Sequence, residues 1–581
     1  MLDFTDHSPL LDLLWTAQDD HGYISDQDIQ DISEKLDLSA IDVEGVCSFY
    51  HFFHRRPAGR YTIYLNTSIL SEISGMAEVR KAFESTTGAS WNGVDRTGQF
   101  GLFGTSCIGL SDQEPAALIN FMPFTRLTPE KVAQIVGAIR QGIPIEQLAD
   151  QVDNTIRYSP VNDKAVIFRD LTPGKSLQKM SLLTPEEVLE AIRLSRLHGM
   201  GGAFFPVAQK WESCRRQAGS TKYLVCNADE GEPGTFKDRA LMTLMPELLI
   251  EGMILGGYAI GAAHGIIYLR AEYRYLLPRL EATIARYRQM GWLGKDIPAR
   301  SPFPFDIRIQ IGAGAYVCGE ETALLESLMG KRGEPTTKVY YPVERGYLGL
   351  PTVVNNVETL ATAARIVELG ARHYLGLGTP ASPGTRLLSV TGDCLYPGIY
   401  EIEWGLSVGE LLEMAGAGEA AYLQISGPSG TGISAQEKHR RFCLEDLRCG
   451  GSVMIFNSKR DLLKILINFT AFFKAESCGV CTPCRAGSFI LARKLDLIER
   501  GLGRPSDLEE IKQWGQLMTI SSRCGLGKTA AGTLLQALEK FPVFFQNLVH
   551  DKGREKGFDM DKALDDYREA AGLSSTLQSP D

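Results

Sequence analysis

The sequence predicts a multidomain α/β protein with a helical region at each end, and three observations predict it. The 581 residues exceed the roughly 250–300 at which a single hydrophobic core stops growing. Apolar residues recur at helical spacing over residues 10–53 and again over 462–541. Between these ends, strand-like runs alternate with helical ones, which is the rhythm of layered α/β domains. Hydrophobic residues make up 44% and charged residues 22% of the chain, which excludes a mainly disordered protein. A net charge of −10 excludes the basic surface of a nucleic-acid binder, so any anionic ligand must be met by local features.

Taken in order, residues 1–55 read as a helical bundle broken at "HGYIS". After "RRPAG", the strand-like runs "RYTIYL", "QFGLFG" and "AALIN" and helices over 76–83 and 128–139 make a compact α/β unit over 56–148. Residues 150–180 read as a linker with short strands. In "TPEEVLEAIRLSRLHG", Thr184 is placed to cap a helix, Pro185 to occupy its first turn, Glu187 to close a capping box and Gly199 to stop it. Strands "KYLVCNAD", "GIIYLRAE" and "FDIRIQIG" then alternate with helices such as "ETALLESLMG" through residue 384. Over 385–457, "TRLLSVTG", "GIYEIE", "AYLQISG" and "GSVMIFN" surround one helix, "SVGELLEMAG", as a small β-rich domain. Residues 458–548 read as helical and 549–581 as a polar tail, a frayed end or a docking arm.

The N-terminal "MLDFTDHSPLL" carries acidic residues where a secretory leader would be basic, so a cytoplasmic protein is expected. Residues 244–269 are apolar and long enough to span a bilayer. Pro246, Glu247, Glu251 and His264 favour instead a buried helix followed by a buried strand, without membrane insertion. Twelve scattered cysteines point to reduced thiols and metal ligands rather than disulfides. Cys47, Cys214, Cys226, Cys318, Cys394, Cys443 and Cys449 stand alone and read as core residues.

"ESCGVCTPCRAG" sets Cys478, Cys481 and Cys484 at C-x2-C-x2-C spacing, which suits an iron–sulfur cluster whose fourth ligand is remote. The next cysteine, Cys524 in "SSRCGLGKTA", is the candidate fourth ligand. A [4Fe–4S] cluster is favoured, with a structural zinc as the alternative. The loop Gly199–Pro206, "GMGGAFFP", follows a helix and has Phe204 where a dinucleotide fingerprint needs its third glycine. Its glycines would let backbone N–H groups approach phosphate, with Lys210 adding charge; a flexible turn is the plainer reading. "NADEGEPGTFKDR" gathers Asn227, Asp229, Glu230 and Glu232 just after a strand, where carboxylates face ligand crevices or form a solvated turn. "GAGAYVCGEETALLESLMGKRG" sets Gly312, Gly314 and Gly319 before Glu320 and Glu321 at a helix start, a place that capping explains in part. "GPSGTGIS", from Gly427, lacks the Lys-Ser/Thr pair of a phosphate loop and reads as a turn.

These segments, with "PTVVNNVETL" and "SRCGLG", resemble the family of NADH-binding flavoprotein subunits of respiratory NADH dehydrogenase over about 180–545. The resemblance implies a Rossmann-like domain binding FMN and NAD(H), a β-grasp-like small domain and a helical bundle holding one [4Fe–4S] cluster on Cys478, Cys481, Cys484 and Cys524. It implies FMN contacts at Gly199, Gly201, Gly202, Lys210, Asn227, Asp229, Glu230, Tyr316, Gly319, Asn355 and Asn356. The nicotinamide nucleotide would lie near Phe205, Glu232, Glu320, Glu321 and Lys338. No side chain is implied as catalytic, because FMN carries the chemistry. Met200 replaces an arginine of the family pattern, Phe204 a glycine, and "VAQ" its T-G-x.

"AQDDHGYIS", "VCSFYHFF" and "RRPAGRYTIYL" resemble the partner subunit of the same dehydrogenases, a helical bundle plus a thioredoxin-like domain. That family's four [2Fe–2S] ligand positions fall on Asn66, Ser71, Cys107 and Ser111. With a single thiol among them, the expectation is a scaffold with no [2Fe–2S] cluster. The fused arrangement is similar to the diaphorase subunits of cytoplasmic NAD-reducing [NiFe]-hydrogenases, which implies as partners an iron–sulfur electron-transfer subunit and a hydrogenase module. The equivalent subunit of a formate dehydrogenase or respiratory enzyme is the alternative, and a zinc-stabilised scaffold is the alternative of another class.

Overall fold

Three helices, Leu10–His21, Asp26–Leu36 and Ala40–Cys47, open the fold, the second started by a capping box between Ser25 and Asp28. The computed structural model describes residues 9–161, 164–219, 221–550 and 564–572. Most of the polar tail lies outside them; within them, a short helix Asp565–Ala570 pairs Asp566 with Lys474.

The first sheet holds β1 (Tyr61–Asn66), β2 (Gly93–Val94), β3 (Phe100–Thr105), β4 (Ala117–Ile119) and β5 (Met122–Phe124) in the order β2-β3-β1-β4-β5. β1 and β3 run parallel and the other pairs antiparallel. Alternation along β1 sends Ile63 and Leu65 into a core with Val79, Phe83, Val132 and Val136 of the two flanking helices. Tyr64 points the other way, against Phe52 and Phe121, and so joins the sheet to the N-terminal helices.

β6 (Ile156–Tyr158) lies in the stretch expected as a linker. Beyond it come β7 (Tyr223–Ala228), β8 (His264–Leu269), β9 (Gly294–Ile297), β10 (Phe303–Ile311) and β11 (Thr352–Asn356), in the order β11-β7-β8-β10-β9. Four strands are parallel and β9 is an antiparallel edge. From β7 the chain builds outward through β8 and β10, then returns to add β11 on the other side. The strand order therefore reverses between β7 and β11, and a ligand crevice is expected beyond their carboxyl ends. The apolar stretch folds as the buried helix Pro246–Ile260 followed by β8. A Cβ on Gly252 would stand 2.1 Å from the Leu360 carbonyl oxygen, so glycine is what lets this helix approach Val357–Leu369 so closely. Among the described residues no single helix is long and apolar enough to cross a membrane.

β12 (Thr385–Gly392), β13 (Gly398–Glu403), β14 (Ala420–Ile425), β15 (Thr431–Ser434) and β16 (Ser452–Asn457) form the third sheet in the order β15-β14-β16-β12-β13-β6. Parallel β12 and β16 at its centre and the helix Val408–Met414 give a β-grasp arrangement. β6 pairs parallel with β13 and so covers what would be an open edge. The apolar faces of the second and third sheets share one core, in which Leu224 and Met253 belong with Leu387, Val390 and Leu423. Helices Leu462–Glu476, Thr482–Glu499, Pro505–Ser521, Gly525–Thr529, Gly532–Lys540 and Pro542–Leu548 complete the chain.

One side chain welds the first module to the second. Arg239 is fully buried. It donates to the Gly109 carbonyl at 2.6 Å, to both Asp112 oxygens at 3.1 Å, to the Asp153 carbonyl at 3.1 Å and to Asn154 Oδ1 at 3.3 Å.

Candidate functional site

The crevice between β7 and β11 is floored by two asparagines in register, Asn227 and Asn356. Asn227 donates to the Gly319 carbonyl at 2.9 Å, and its Oδ1 accepts the Asp229 N–H at 3.1 Å, which fixes the turn that leaves the strand. Asn356 caps the helix Val357–Leu369 by accepting from the Glu358 N–H at 2.9 Å, and it donates to Asp238 at 2.6 Å. Behind it lies a buried charge network. The Lys237 ammonium meets Asp238 at 2.7 Å and Glu358 at 2.9 Å, and Arg386 meets Glu358 at 2.9 Å. Asn355 is held from the side, its Oδ1 accepting from the buried Trp211 indole at 2.7 Å.

The glycine loop closes over this floor. It is pinned at its neck by Gly199 N–H to the Phe205 carbonyl, 2.9 Å, and Val207 N–H to the Leu197 carbonyl, 3.0 Å. Met200 N–H donates to Thr359 at 2.8 Å, and the Met200 side chain turns into the core. At Gly201 a Cβ would come 3.3 Å from the Asn356 Cβ, so the backbone approaches the asparagine as only a glycine does freely. Phe204 sits at φ 53°, in the left-handed region that a glycine occupies without strain, at a cost of about 1–2 kcal/mol. Its ring lies 6.4 Å from that of Trp404, within the shared core, while Phe205 stands 48% exposed at the rim.

Lys210 reaches from the first helix after the loop to Glu321 at 3.0 Å and to the Val354 carbonyl at 2.9 Å. Lys338 meets Glu321 at 2.8 Å and Glu320 at 3.3 Å. Burial alone would raise the Glu321 carboxyl, but Lys210 and Lys338 outweigh it and hold the group below its usual value. Burial opposes the charge on Lys338, and the two glutamates reverse that and raise it. Glu320 also caps its helix, accepting the Thr322 N–H at 2.8 Å and the Ala323 N–H at 3.1 Å. Of the expected cofactor residues, Glu230 is engaged away from the crevice. It accepts from Asp238 N–H, Arg239 N–H and the Tyr273 hydroxyl at 2.9–3.1 Å, and burial pushes it up to about 7.

Glu232 is clamped by "GPSG", expected from its sequence to be a mere turn. Ser429 donates to it twice, N–H to Oε1 at 3.0 Å and hydroxyl to Oε2 at 2.8 Å, and Tyr316 adds its hydroxyl at 2.5 Å. A Cβ on Gly427 would stand 2.4 Å from Glu232 Oε1. "GPSG" is thus a glycine turn shaped around a carboxylate of another domain. The repeated glycines were the visible signal, but the partner 197 residues away was not.

The four cysteines come from two helix entrances. Cys481 precedes the first residue of Thr482–Glu499, Cys484 lies in its first turn, Cys478 is in the loop before it, and Cys524 precedes Gly525–Thr529. Burial raises the Cys478 and Cys524 thiols and takes Cys484 to about 11, with the neighbouring cysteines adding like-charge repulsion. The thiols therefore lie within electrostatic reach of one another. Yet among the described residues no three His, Cys, Asp or Glu side chains converge on the position of a single metal ion. Three cysteines at this spacing with a remote fourth are the ligand pattern of an iron–sulfur cluster. Glu320 lies close enough to Cys524 to raise its thiol, and Arg523 donates to the Pro335 carbonyl at 3.1 Å. These contacts seat the cluster site beside the acidic end of the crevice.

In the first module, Asn66 and Ser71 are fully buried, and Cys107 Sγ lies 3.3 Å from Ser111 Oγ. Asn66 donates to Glu114.

Three family models match. The Nuo51 FMN-binding domain matches residues 192–365, a thioredoxin-like [2Fe–2S] ferredoxin 3–140, and the NADH-ubiquinone oxidoreductase-F iron–sulfur binding region 464–548. The second match corrects the expectation that the N-terminal module has no [2Fe–2S] cluster: residues 3–140 match a thioredoxin-like [2Fe–2S] ferredoxin family. The donors at Asn66, Ser71, Cys107 and Ser111 are not the four thiolates that ordinarily hold such a centre. The NAD-reducing hydrogenase HoxS subunit alpha of Cupriavidus necator is 47% identical over 97% of this chain and 96% of its own. The NADP-reducing hydrogenase subunit HndC of Solidesulfovibrio fructosivorans is 38% identical over 65% of this chain and 79% of its own. The crystal structure of an NAD+-reducing [NiFe]-hydrogenase in the H2-reduced state contains a chain that superposes with a TM-score of 0.88 at 37% identity. The superposition covers 97% of this chain and 98% of that one. Likeness along nearly the whole length, through the fused first module as well as the crevice and the cysteine domain, decides the matter: the chain belongs to the family of NAD-reducing hydrogenase alpha subunits.

Proposed function

We propose that this chain is a diaphorase, passing hydride between NAD(H) and FMN in the β7/β11 crevice and single electrons between FMN and a [4Fe–4S] cluster on Cys478, Cys481, Cys484 and Cys524. One observation carries the reading. The crevice residues and the cysteine quartet fall in two matched regions of one chain, an FMN-binding domain over 192–365 and an iron–sulfur binding region over 464–548. FMN, once bound, supplies the two-electron to one-electron conversion. The protein supplies the rest. The loop Gly199–Pro206 and Lys210 present N–H groups and a cation to phosphate, and Asn227, Asp229, Asn355 and Asn356 offer amide and carboxyl groups to the flavin. Gly202 and Tyr316 line the same approach. Phe205, Glu232, Glu320, Glu321 and Lys338 hold the nucleotide at the rim.

The partners are an iron–sulfur electron-transfer subunit and a hydrogenase module, a reading supported by the similar hydrogenase subunits. Twelve free thiols suit a reducing, cytoplasmic setting. The test is NADH-driven dye reduction by the purified chain loaded with FMN, followed by capture of the partner complex and metal analysis. Iron, sulfide, a flavin spectrum and a nickel-bearing partner are expected. A colourless protein containing zinc, or a molybdenum-bearing partner, would overturn the reading.

A further inference from the structure

A half-open cavity of ≈ 770 Å³ lies where the first module, the loop after β10 and the helix Leu462–Glu476 meet. At its inner end is a chamber of ≈ 20 Å³, room for about one water molecule. His51, Ser106, Ala315 and Glu476 line both spaces, so the two are continuous. Asp229 and Glu272 face the chamber alone.

Three buried polar atoms at this chamber lack a protein partner: Asp229 Oδ2, Glu272 Oε2 and Arg270 Nε. Glu272 is only 6% exposed, its other oxygen taking the Arg270 guanidinium at 2.5 Å. Leaving such an atom unmet costs about 1–3 kcal/mol, and a buried water needs two to four polar partners. The site offers three. Glu476, in contrast, is committed on both oxygens, to the Ser106 hydroxyl and to the Tyr316 N–H. His51 presents its ring to the larger cavity and is solvent-exposed there.

We infer that the chamber is a proton passage, in which water links His51 on the cavity wall through Glu272 to the carboxyl of Asp229 at the flavin. The inference rests on the reading that FMN lies against Asp229. The stoichiometry calls for a proton at the site. Forming NADH takes NAD+, two electrons and one proton; a C–H bond forms at the nicotinamide C4, and the electrons arrive singly through the cluster. The chamber offers that proton a way through the protein to Asp229; in NADH oxidation it would leave the same way. Burial pushes Asp229 up to about 8, Arg270 opposing and Glu272 and Glu476 adding to it, so its carboxyl can exchange protons near neutrality. The charged and titratable groups around the path are His51 and His54 from the first module, Arg270 and Glu272 after β8, Asp229 and Glu230 after β7, Tyr316 after β10 and Glu476.

The experiment compares His51→Ala and Glu272→Gln with wild type in the FMN-loaded intact complex. Dye- or hydrogen-driven NAD+ reduction should slow by about tenfold, with a larger solvent deuterium effect, and added imidazole should restore His51→Ala. Flavin content and NAD+ affinity should stay at wild-type values. Redox-difference infrared spectra should show a deuterium-sensitive carboxylic band that changes in Glu272→Gln. His51→Ala lies on the cavity wall and keeps the test open if Glu272→Gln folds poorly. Wild-type rate, isotope effect and infrared band in flavin-loaded variants would overturn the passage alone. A wild-type chain that binds no flavin would overturn the reading beneath it as well.

Discussion

Replacing Ser429 with alanine removes one of the three donors that fix Glu232, the hydroxyl at 2.8 Å, and leaves the Ser429 N–H at 3.0 Å and Tyr316 at 2.5 Å. Burial raises the Glu232 carboxyl and these donors oppose the rise. A hydrogen bond to a charged group is worth about 1.5–3 kcal/mol. With two donors remaining, the lower end applies, and a loss of about 1.4 kcal/mol is tenfold in affinity. NADH titration of the FMN-loaded chain by calorimetry should therefore show about tenfold weaker binding. Ser429→Thr, which restores a hydroxyl, should recover most of it, and flavin content should not change. The reasoning fails if Ser429→Ala binds NADH like wild type while Glu232→Gln does not, because Glu232 would then act without its clamp.

Cys524→Ser should abolish the [4Fe–4S] signal and the iron that belongs to it while flavin stays; a full [4Fe–4S] signal would remove Cys524 from the ligand set. Trp211→Phe leaves Asn355 Oδ1 without its donor, so denaturant melts should show a loss of about 1–3 kcal/mol and dialysis a faster loss of flavin. Destabilisation with wild-type flavin retention would mean that Asn355 does not orient the cofactor. Asp229 has a folded value near 8 against about 4 when unfolded. The folded state thus binds the extra proton, and this group's contribution to stability falls as pH rises from about 4 to 8. Urea melts of flavin-free Asp229→Asn should decline less steeply over pH 5–8 than wild type, by up to about 1.4 kcal/mol per pH unit; parallel curves would refute the assignment.

Much of this was legible locally. Thr184, Pro185 and Glu187 announce a helix start because a capping box involves only neighbours, and it forms as written. The apolar run 244–269 resolves into helix and strand because Pro246 and its glycines mark where each can begin and end. What escaped depends on distant partners. A short strand was expected in residues 150–180 and forms as β6, but its place in the sheet, against β13, was not visible. Glu230 belongs to a cofactor motif by its neighbours, but its side chain serves the start of the helix Lys237–Leu244. Glu232 and Ser429 lie in different sheets' loops, and no periodicity links them. The first module matches a ferredoxin family although its sequence led to the expectation of no cluster, because the fold is kept by Ile63, Leu65 and the paired helices rather than by the ligand positions.

Arg239 belongs by sequence to the flavin motif, yet every acceptor its guanidinium finds comes from residues 109–154. Removing the first 155 residues would take away all of these acceptors at once and open the core that Trp15, Phe52 and Tyr64 share with Val225 and Tyr268. The fusion is for this reason no loose tether between separable parts. Expressing the electron-transfer half by itself would call for redesign of this whole seam, Arg239 included.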